Sequence, residues 1–339
     1  MTYEYDAILE KQSGTKAQAD TRHFDYDLTQ AEFFKLESLF EKTASHHGCD
    51  AWIEKAQSPQ DILLWAFDVL NHSPGARSML EHAVKNEWTI RIDRLADEGY
   101  SLDTDQGVIY LDDNDFDVCV LARSSYLRHM LLMNLVRALR DQWHESFDDD
   151  VGAYTPDSVL MRERLITAEI ETFAVQAAWE LRSAGYNQVW RYMLGSQDGD
   201  LAMSLGHVLE HNPSLFMDGS ALVHVIRQWF KTPGRIAAAD HRALEYMDDI
   251  LRRRDDKCQK PLGDRILNVD DISTRTTLPD GICYVGEKAH LVLADIRHYG
   301  LQNPVNKAHF EHVKHDIEAC VIADVPFRDA ELGHRIFAH

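Results

Sequence analysis

The chain has 339 residues, of which 45% are hydrophobic, and it includes 7 Trp, 12 Tyr and 13 Phe. This composition is sufficient for a buried core and too apolar for a disordered chain. A formal net charge of −21 at pH 7 disfavours contact with nucleic-acid phosphates and anionic lipid, so we expect neither nucleic acid nor a membrane as a partner. The 5 cysteines are widely spaced without a C-x-x-C pair, and no signal-like or bilayer-length apolar run is present. These features predict a reduced, cytoplasmic protein.

The N-terminal third is predicted to be helical after a polar arm over residues 1–27. The stretch "LTQAEFFKLESLFEKTASHHG" has a capping box at Thr29 and Glu32 and a stop at Gly48. "SPQDILLWAFDVLNHSPG" follows with Ser58 as its cap, and a shorter helix is expected over 77–85. Together they predict an N-terminal helical cap.

The hydrophobic period then changes and changes back. "WTIRIDRL" and "GYSLDTDQGVIYLDD" alternate, which predicts two or three short strands between residues 88 and 111. A helical period returns over 120–147. The clearest helix runs from its cap at Thr155 to Gly185. Further helices are expected at about 187–194, 198–211, 219–231 and 234–253.

The C-terminal part begins with a charged, Pro/Gly-bearing stretch, "RRRDDKCQKPLGDR", which is a linker candidate. A strand at "GICYVG" and a helix in "NKAHFEHVKHDIEACVIAD" are expected beyond it. The fold class predicted is α+β: a mostly helical core with a small β-sheet, a helical N-terminal cap and a C-terminal extension. The corresponding segments are 1–87, 88–254 and 255–339.

Three stretches resemble zinc-binding patterns, in which histidines at i and i+4 share a helix face and a neighbouring Glu acts as base. "HESFD" has the form H-E-x-x-D with His144, Glu145 and Asp148, but it falls at a helix end before three acids. A solvated helix terminus is the simpler interpretation. These residues remain an alternative metal site.

Two other histidine groups are also alternatives. "HVLEH" has the inverted order H-x-x-E-H with His207, Glu210 and His211, although histidine at a helix C-terminus is ordinary. "HFEHVKH" places His309, His312 and His315 near one face, where a half-exposed helix surface is the simpler interpretation.

The order of elements from strand "GVIYLDD" through the helix at 120–147 to "AEIETFAVQAAWELRSAG" carries a resemblance. It is similar to a proteobacterial metallopeptidase domain family of unknown function, over roughly residues 88–250. That family's metal helix typically has the pattern H-E-L-R-H-A-W. Matching residues here are Leu139, Arg140, Trp143, Ala178, Trp179, Glu180, Leu181, Asp218, Gly219 and Trp229. The resemblance implies a zincin-like core.

At the positions where that resemblance places the metal site, this chain departs from the pattern. Arg137 stands for the first His, Ala138 for the catalytic Glu and Asp141 for the second His, while Glu169 takes the acidic-ligand position. Arginine has no lone pair for zinc, and alanine cannot accept a proton. The hypothesis is a degenerate site in which Arg137 pairs with Asp141 and faces Glu169, in place of the ion.

The resemblance therefore implies a metallopeptidase-like protein that has lost hydrolytic activity and acts by binding a peptide or protein. No cofactor is expected, and zinc is the alternative. The competing functions are a zinc hydrolase using one of the histidine groups above, and a structural helical interaction protein. The oligomeric state is left open.

Overall fold

A computed structural model describes residues 32–43, 53–95, 99–147, 151–252, 262–295 and 298–323. Of the described residues, 68% are helical, and they include one small four-stranded sheet, which confirms the α+β class. The predicted arm over 1–27 lies outside the described residues, and the zincin-like character of the core stays a prediction. No described helix is both long and apolar enough to cross a membrane.

The sheet contains β1 (Phe34–Lys35), β2 (Thr89–Asp93), β3 (Tyr100–Asp103) and β4 (Val108–Asp112) in the order β1-β2-β4-β3. β2 and β4 are parallel, and the other two pairs are antiparallel. Ile90, Ile109 and Leu111 are fully buried, as the alternating pattern predicts. Strand β3 is therefore an edge of the sheet, and its first residues adjoin the site described below.

Three helices lie between β1 and β2 in the chain: α1 (Leu36–Thr43), α2 (Pro59–Leu70) and α3 (Pro74–Lys85). Ser58 and Asp61 form a capping box at α2, and Ser73 caps α3. The first helix begins later than predicted, because Phe34 and Lys35 pair with Ile90 and Thr89 as a strand. Thr29, its predicted cap, and Gly48, its predicted stop, lie outside the described residues.

The central helices are α4 (Val118–Arg123), α5 (Ser125–Glu145) and α6 (Pro156–Ser183). The single helix predicted over 120–147 is divided at Ser124, whose extended backbone ends α4 and whose hydroxyl accepts from Leu127 N at the start of α5. Thr155 caps α6 as predicted. Buried Leu, Val, Ala and Phe side chains pack α5 against α6.

The remaining helices are α7 (Asn187–Gly195), α8 (Gly199–His211), α9 (Ser220–Trp229), α10 (Pro233–Arg252), α11 (Val269–Arg275), α12 (Ala289–Ala294) and α13 (Pro304–Ala323). Buried Arg164 of α6 connects three parts of this region. It donates to Asp240 on α10 and to the carbonyls of His298 and Gly300. "GICYVG" forms only an isolated bridge between Cys283 and Thr277 rather than a strand. The division at residues 87 and 254 stays a prediction.

Candidate functional site

Helix α5 presents polar side chains to α6 from two adjacent parts of its surface. Arg137 and Asp141 are four residues apart, and so are Arg140 and His144, so each pair lies one turn apart on the helix. The two pairs enter different surroundings. Arg140 and His144 lie in a closed interior cluster, whereas Arg137 lines an open cavity.

The closed cluster, which we call the sealed triad, consists of Arg140, His144 and Glu169. Arg140 Nε donates to Glu169 Oε2 at 2.8 Å, and its Nη2 donates to Oε1 at 2.5 Å. His144 Nε2 lies 2.6 Å from the same Oε2. Arg140 and Glu169 are both 0% exposed. Two residues one helical turn apart thus converge on one acid from the next helix, the arrangement in which a zinc site would place its ligands.

The segment after α11 covers the sealed triad. Arg140 Nη2 also donates to the carbonyl of Thr277 at 2.7 Å, and Arg275 Nη1 donates to the carbonyl of His144 at 2.8 Å. The buried ring of Tyr284 lies beside Glu169. Because these groups close over the triad, substrate cannot reach it in this conformation.

Burial and charge fix the protonation of the triad. Burial lowers the pKa of His144 to about 4 despite the opposing effect of Glu169, so the imidazole is neutral at pH 7 and donates its Nε2–H to the carboxylate. Burial acts to raise the pKa of Glu169, but Arg140 and His144 outweigh it and hold that pKa below its usual value. The triad is thus one charge-balanced, bidentate Arg–carboxylate pair with a neutral histidine.

The second cluster, which we call the open cluster, consists of Arg137, Glu171, Asp198, Asp200 and Arg235. Asp198, at its centre, lies in the loop between α7 and α8. Arg137 donates to Asp198, which is 1% exposed, and Arg235 Nη2 lies 3.4 Å from the other oxygen of the same carboxylate. Arg235 also pairs with Asp200 at 2.7 Å and with Glu171 of α6 at 3.3 Å. Two arginines are therefore held between three acids, which come from α6, the loop and the first turn of α8.

Two cavities meet at this cluster. One, of about 660 Å³, is lined by Glu171, Asp198 and Arg235 with residues of α6 and α10. The other, of about 510 Å³, is lined by Arg137 and Asp198 with Gly99 before β3. Both lie in the size range of small-ligand pockets, roughly 300–1,000 Å³. The Arg137–Asp198 pair lines the region between them.

Two carboxyl groups beside these cavities have unusual acidity. Burial, with Asp198, raises the pKa of Glu171 to about 7. Burial, with Glu145 and Glu163, raises the pKa of Asp141 to about 7, and Tyr100 Oη donates to Asp141 Oδ2 at 3.2 Å. Both groups can therefore bind and release protons near neutral pH.

The hypothesis built on Arg137 requires a correction. Arg137 does have a carboxylate partner, but the partner is Asp198 rather than Asp141 or Glu169. The arginine that contacts Glu169 is Arg140, three residues further along α5. Ala138 is fully buried in the core. The four positions therefore do not form one site: Glu169 belongs to the sealed triad, Arg137 to the open cluster and Ala138 to the core.

The histidine group His144, Glu145 and Asp148 has only its first residue in a structural contact among the described residues. His144 is bound to Glu169 inside the sealed triad, and Glu145 is exposed. Asp148 lies outside the described residues. Metal binding by His144, Glu145 and Asp148 therefore stays a prediction.

The other two histidine groups lie at the surface. His207, Glu210 and His211 are exposed in the last turns of α8, where His211 Nδ1 lies 2.7 Å from the carbonyl of His207. On α13, His309 pairs with Asp248 at 2.9 Å, while His312 and His315 are exposed. Metal binding by either group stays a prediction.

The residues of the sealed triad do not fit a bound zinc ion. Within the described segments, no three or more His, Cys, Asp and Glu side chains are grouped to hold a metal. In the sealed triad the guanidinium of Arg140 occupies the place where a third ligand is needed, and it has no lone pair to offer. We therefore assign no chemical step to a metal.

Sequence reasoning missed Asp198, Arg235 and Glu171. Asp198 and Arg235 are 61 and 98 positions from Arg137, so no local motif connects them. The one available signal was the spacing of Glu163, Thr167 and Glu171, which marks a polar stripe on an otherwise apolar α6. Arg140 and His144 were detectable as R-D-x-x-H, the H-E-x-x-H pattern with two substitutions.

Comparison with protein-family models matches residues 41–285 to a family described as "Putative metallopeptidase family (DUF6782)". The match includes both clusters and extends beyond residues 88–250 at each end. Searches of curated proteins and of solved structures give no significant match.

Proposed function

The chain belongs to this metallopeptidase family, and we propose that it is a non-hydrolytic member that binds an extended peptide beside Arg137 and Asp198. The observation that carries the proposal is an arginine at the first ligand position. The resemblance implies that this position is Arg137, whereas the contact of Arg140 with Glu169 favours Arg140. In either register a fixed cation replaces a metal ligand.

The cleft supports peptide binding through its edge strand. β3 pairs with β4 on one side only within the described part of the chain, and Gly99 at its start lines the cavity of about 510 Å³. Asp112 N donates to Gly99 O, so in the antiparallel ladder Tyr100 and Leu102 direct their backbone groups away from β4. An added peptide strand would bond to these groups.

The first test is metal content. Tag-free protein is chelated mildly, dialysed and assayed for zinc atoms per chain, with a thermal melt to verify folding. We expect no stoichiometric zinc. About one zinc per chain, lost together with peptide cleavage when His144 is replaced, would refute the proposal.

The second test is peptide binding. Dodecapeptides selected from a random phage library are synthesised with a fluorophore and titrated against the protein, and mass spectrometry monitors cleavage. Leu102→Pro removes one outward N–H and the side chain, whereas Leu102→Ala removes only the side chain. We expect the Pro variant to weaken binding about tenfold more than the Ala variant, without cleavage. Equal affinity for both variants would contradict addition to β3.

A further inference from the structure

A second cleft, of about 630 Å³, lies at the end of α9, away from both clusters described above. His224, Arg227 and Lys231 line one side of it at i, i+3 and i+7, so they follow one face of α9 and its continuation. All three side chains are exposed. Asp295 and His298 also line the cleft. We call this cleft the basic cleft.

The cations of the basic cleft have no acidic partner among the described residues. Among the described residues, no carboxylate lies in ion-pair contact with Arg227 or Lys231, and Lys231 Nζ contacts only the side-chain oxygen of Gln228 at 3.3 Å. Burial lowers the pKa of His224, and Arg227, Lys288 and Lys231 lower it further. In a chain of net charge −21, this concentration of uncompensated positive charge is unusual and marks an anion site.

The acidic groups nearby do not cancel this charge. Asp295 lines the cleft, but it lies 3.7 Å from His298 Nε2. Exposed Asp218 interacts with Lys288, beyond the start of α9. Neither carboxylate pairs with Arg227 or Lys231, so both cations remain available to a ligand.

The floor of the basic cleft is rigid and aromatic. The rings of Phe230 and His298 stack with centroids 4.1 Å apart and planes 28° apart, and both residues are buried. His298 Nδ1 lies 2.7 Å from the carbonyl of Val292, which fixes the orientation of the imidazole. A concave floor with cations along one rim suits a ligand that has an anionic group and an uncharged body.

We infer that the basic cleft binds a soluble phosphate-bearing small molecule through Arg227 and Lys231. A guanidinium donates two parallel N–H groups to phosphate oxygens, and an ammonium adds a compact point charge. Carboxylates carry less charge and engage fewer donors than a phosphoryl group. A membrane surface is a poorer occupant, because the site is concave and the rest of the protein is strongly acidic.

Titration calorimetry with inorganic pyrophosphate, on the full-length protein at low salt, tests the inference. The double variant Arg227→Gln/Lys231→Gln removes the two proposed contacts. Arg191→Gln removes the same kind of exposed cation from α7 and serves as the matched control. We expect one site per chain, an affinity reduced at least about tenfold in the double variant and within about twofold of wild type in the control.

The outcomes are distinct. Loss of affinity only in the double variant, with an unchanged thermal melt, supports the site. Equal losses in the double variant and the control indicate nonspecific charge attraction and overturn it. Binding to phosphatidylcholine vesicles containing phosphatidic acid, without binding of pyrophosphate, would assign the patch to a lipid surface and also overturn it. No binding of either probe at millimolar concentration has the same consequence.

Discussion

Removing Arg140 is expected to destabilise the protein severely. Its guanidinium forms two hydrogen bonds to Glu169 and one to the carbonyl of Thr277. In Arg140→Met the Glu169 carboxylate would remain buried with only His144 as a partner. Breaking a buried ion pair from one side typically costs about 3–5 kcal/mol, which is a large part of the stability of an ordinary domain.

The matched control is Arg77→Met. Arg77 also pairs with a glutamate at 2.9 Å, but Arg77 and Glu81 are 56% and 50% exposed. Such a pair is worth roughly 0.5 kcal/mol or less. Urea unfolding followed by far-ultraviolet circular dichroism at neutral pH measures both variants, and we expect only Arg140→Met to shift the midpoint strongly.

A double variant keeps this prediction testable if Arg140→Met fails to fold. Arg140→Met/Glu169→Leu removes both charges and leaves no uncompensated carboxylate, so we expect it to be more stable than Arg140→Met alone. The reasoning is refuted if Arg140→Met costs no more than Arg77→Met, or if the double variant is the less stable of the two.

Three further predictions concern the pH dependence of stability and the space around two glycines. In the wild type, the free energy of unfolding should fall as pH falls from about 6.5 to 4, because His144 has a pKa of about 4 in the native state and binds a proton less readily there than in the unfolded chain. His144→Gln should remove this part of the pH dependence, which is worth up to about 3 kcal/mol. Urea unfolding measured at several pH values tests it. Asp141→Asn should act oppositely. Asp141 has a pKa of about 7 in the native state, so it loses its proton less readily there than in the unfolded chain, and it lowers the free energy of unfolding as pH rises from about 4 to 7. Asp141→Asn should therefore become more stable relative to wild type at high pH. Gly219→Ala should cost more than Gly107→Ala in thermal melts, since both glycines have positive φ but only the first Cβ would meet Tyr284, at 2.3 Å.

Local chemistry made the helix starts predictable. Ser58 and Thr155 precede prolines, and the structure places caps at both. The break at Ser124 was not predictable from periodicity, because α4 and α5 continue the same apolar pattern across it. β1 was missed for a different reason: two residues form a strand only because β2 is present to pair with them.

The sequence could predict which residues of the site share one face of a helix, but not their partners on other elements. Sequence reasoning selected Arg137 and Glu169 for charge compensation, and each is compensated, but by Asp198 and Arg140 respectively. Side chains three residues apart on α5 point about 60° apart, and one-dimensional spacing cannot decide which of them faces α6. Glu180 was recognised as part of the family pattern; in the structure it accepts from Ser73 Oγ and Gly75 N at the start of α3.

The register of the proposed lost metal site is itself testable, because the two candidate arginines have different neighbours. Arg140→His would place an imidazole opposite Glu169 and His144, completing three donors. Arg137→His/Asp141→His would instead place imidazoles at the two ligand positions given by the resemblance, of which the first lies beside Asp198 and the second beside Tyr100. We expect Arg140→His to retain about one zinc per chain after mild chelation, and the second variant to retain none. Of the two clusters, the sealed triad has the convergent geometry that zinc requires. Arg140→His/Glu169→Gln is the control and should lose the ion. Zinc retained only by the second variant would show that the open cluster is the ancestral site, and that the arginine pair between its two cavities replaced the metal.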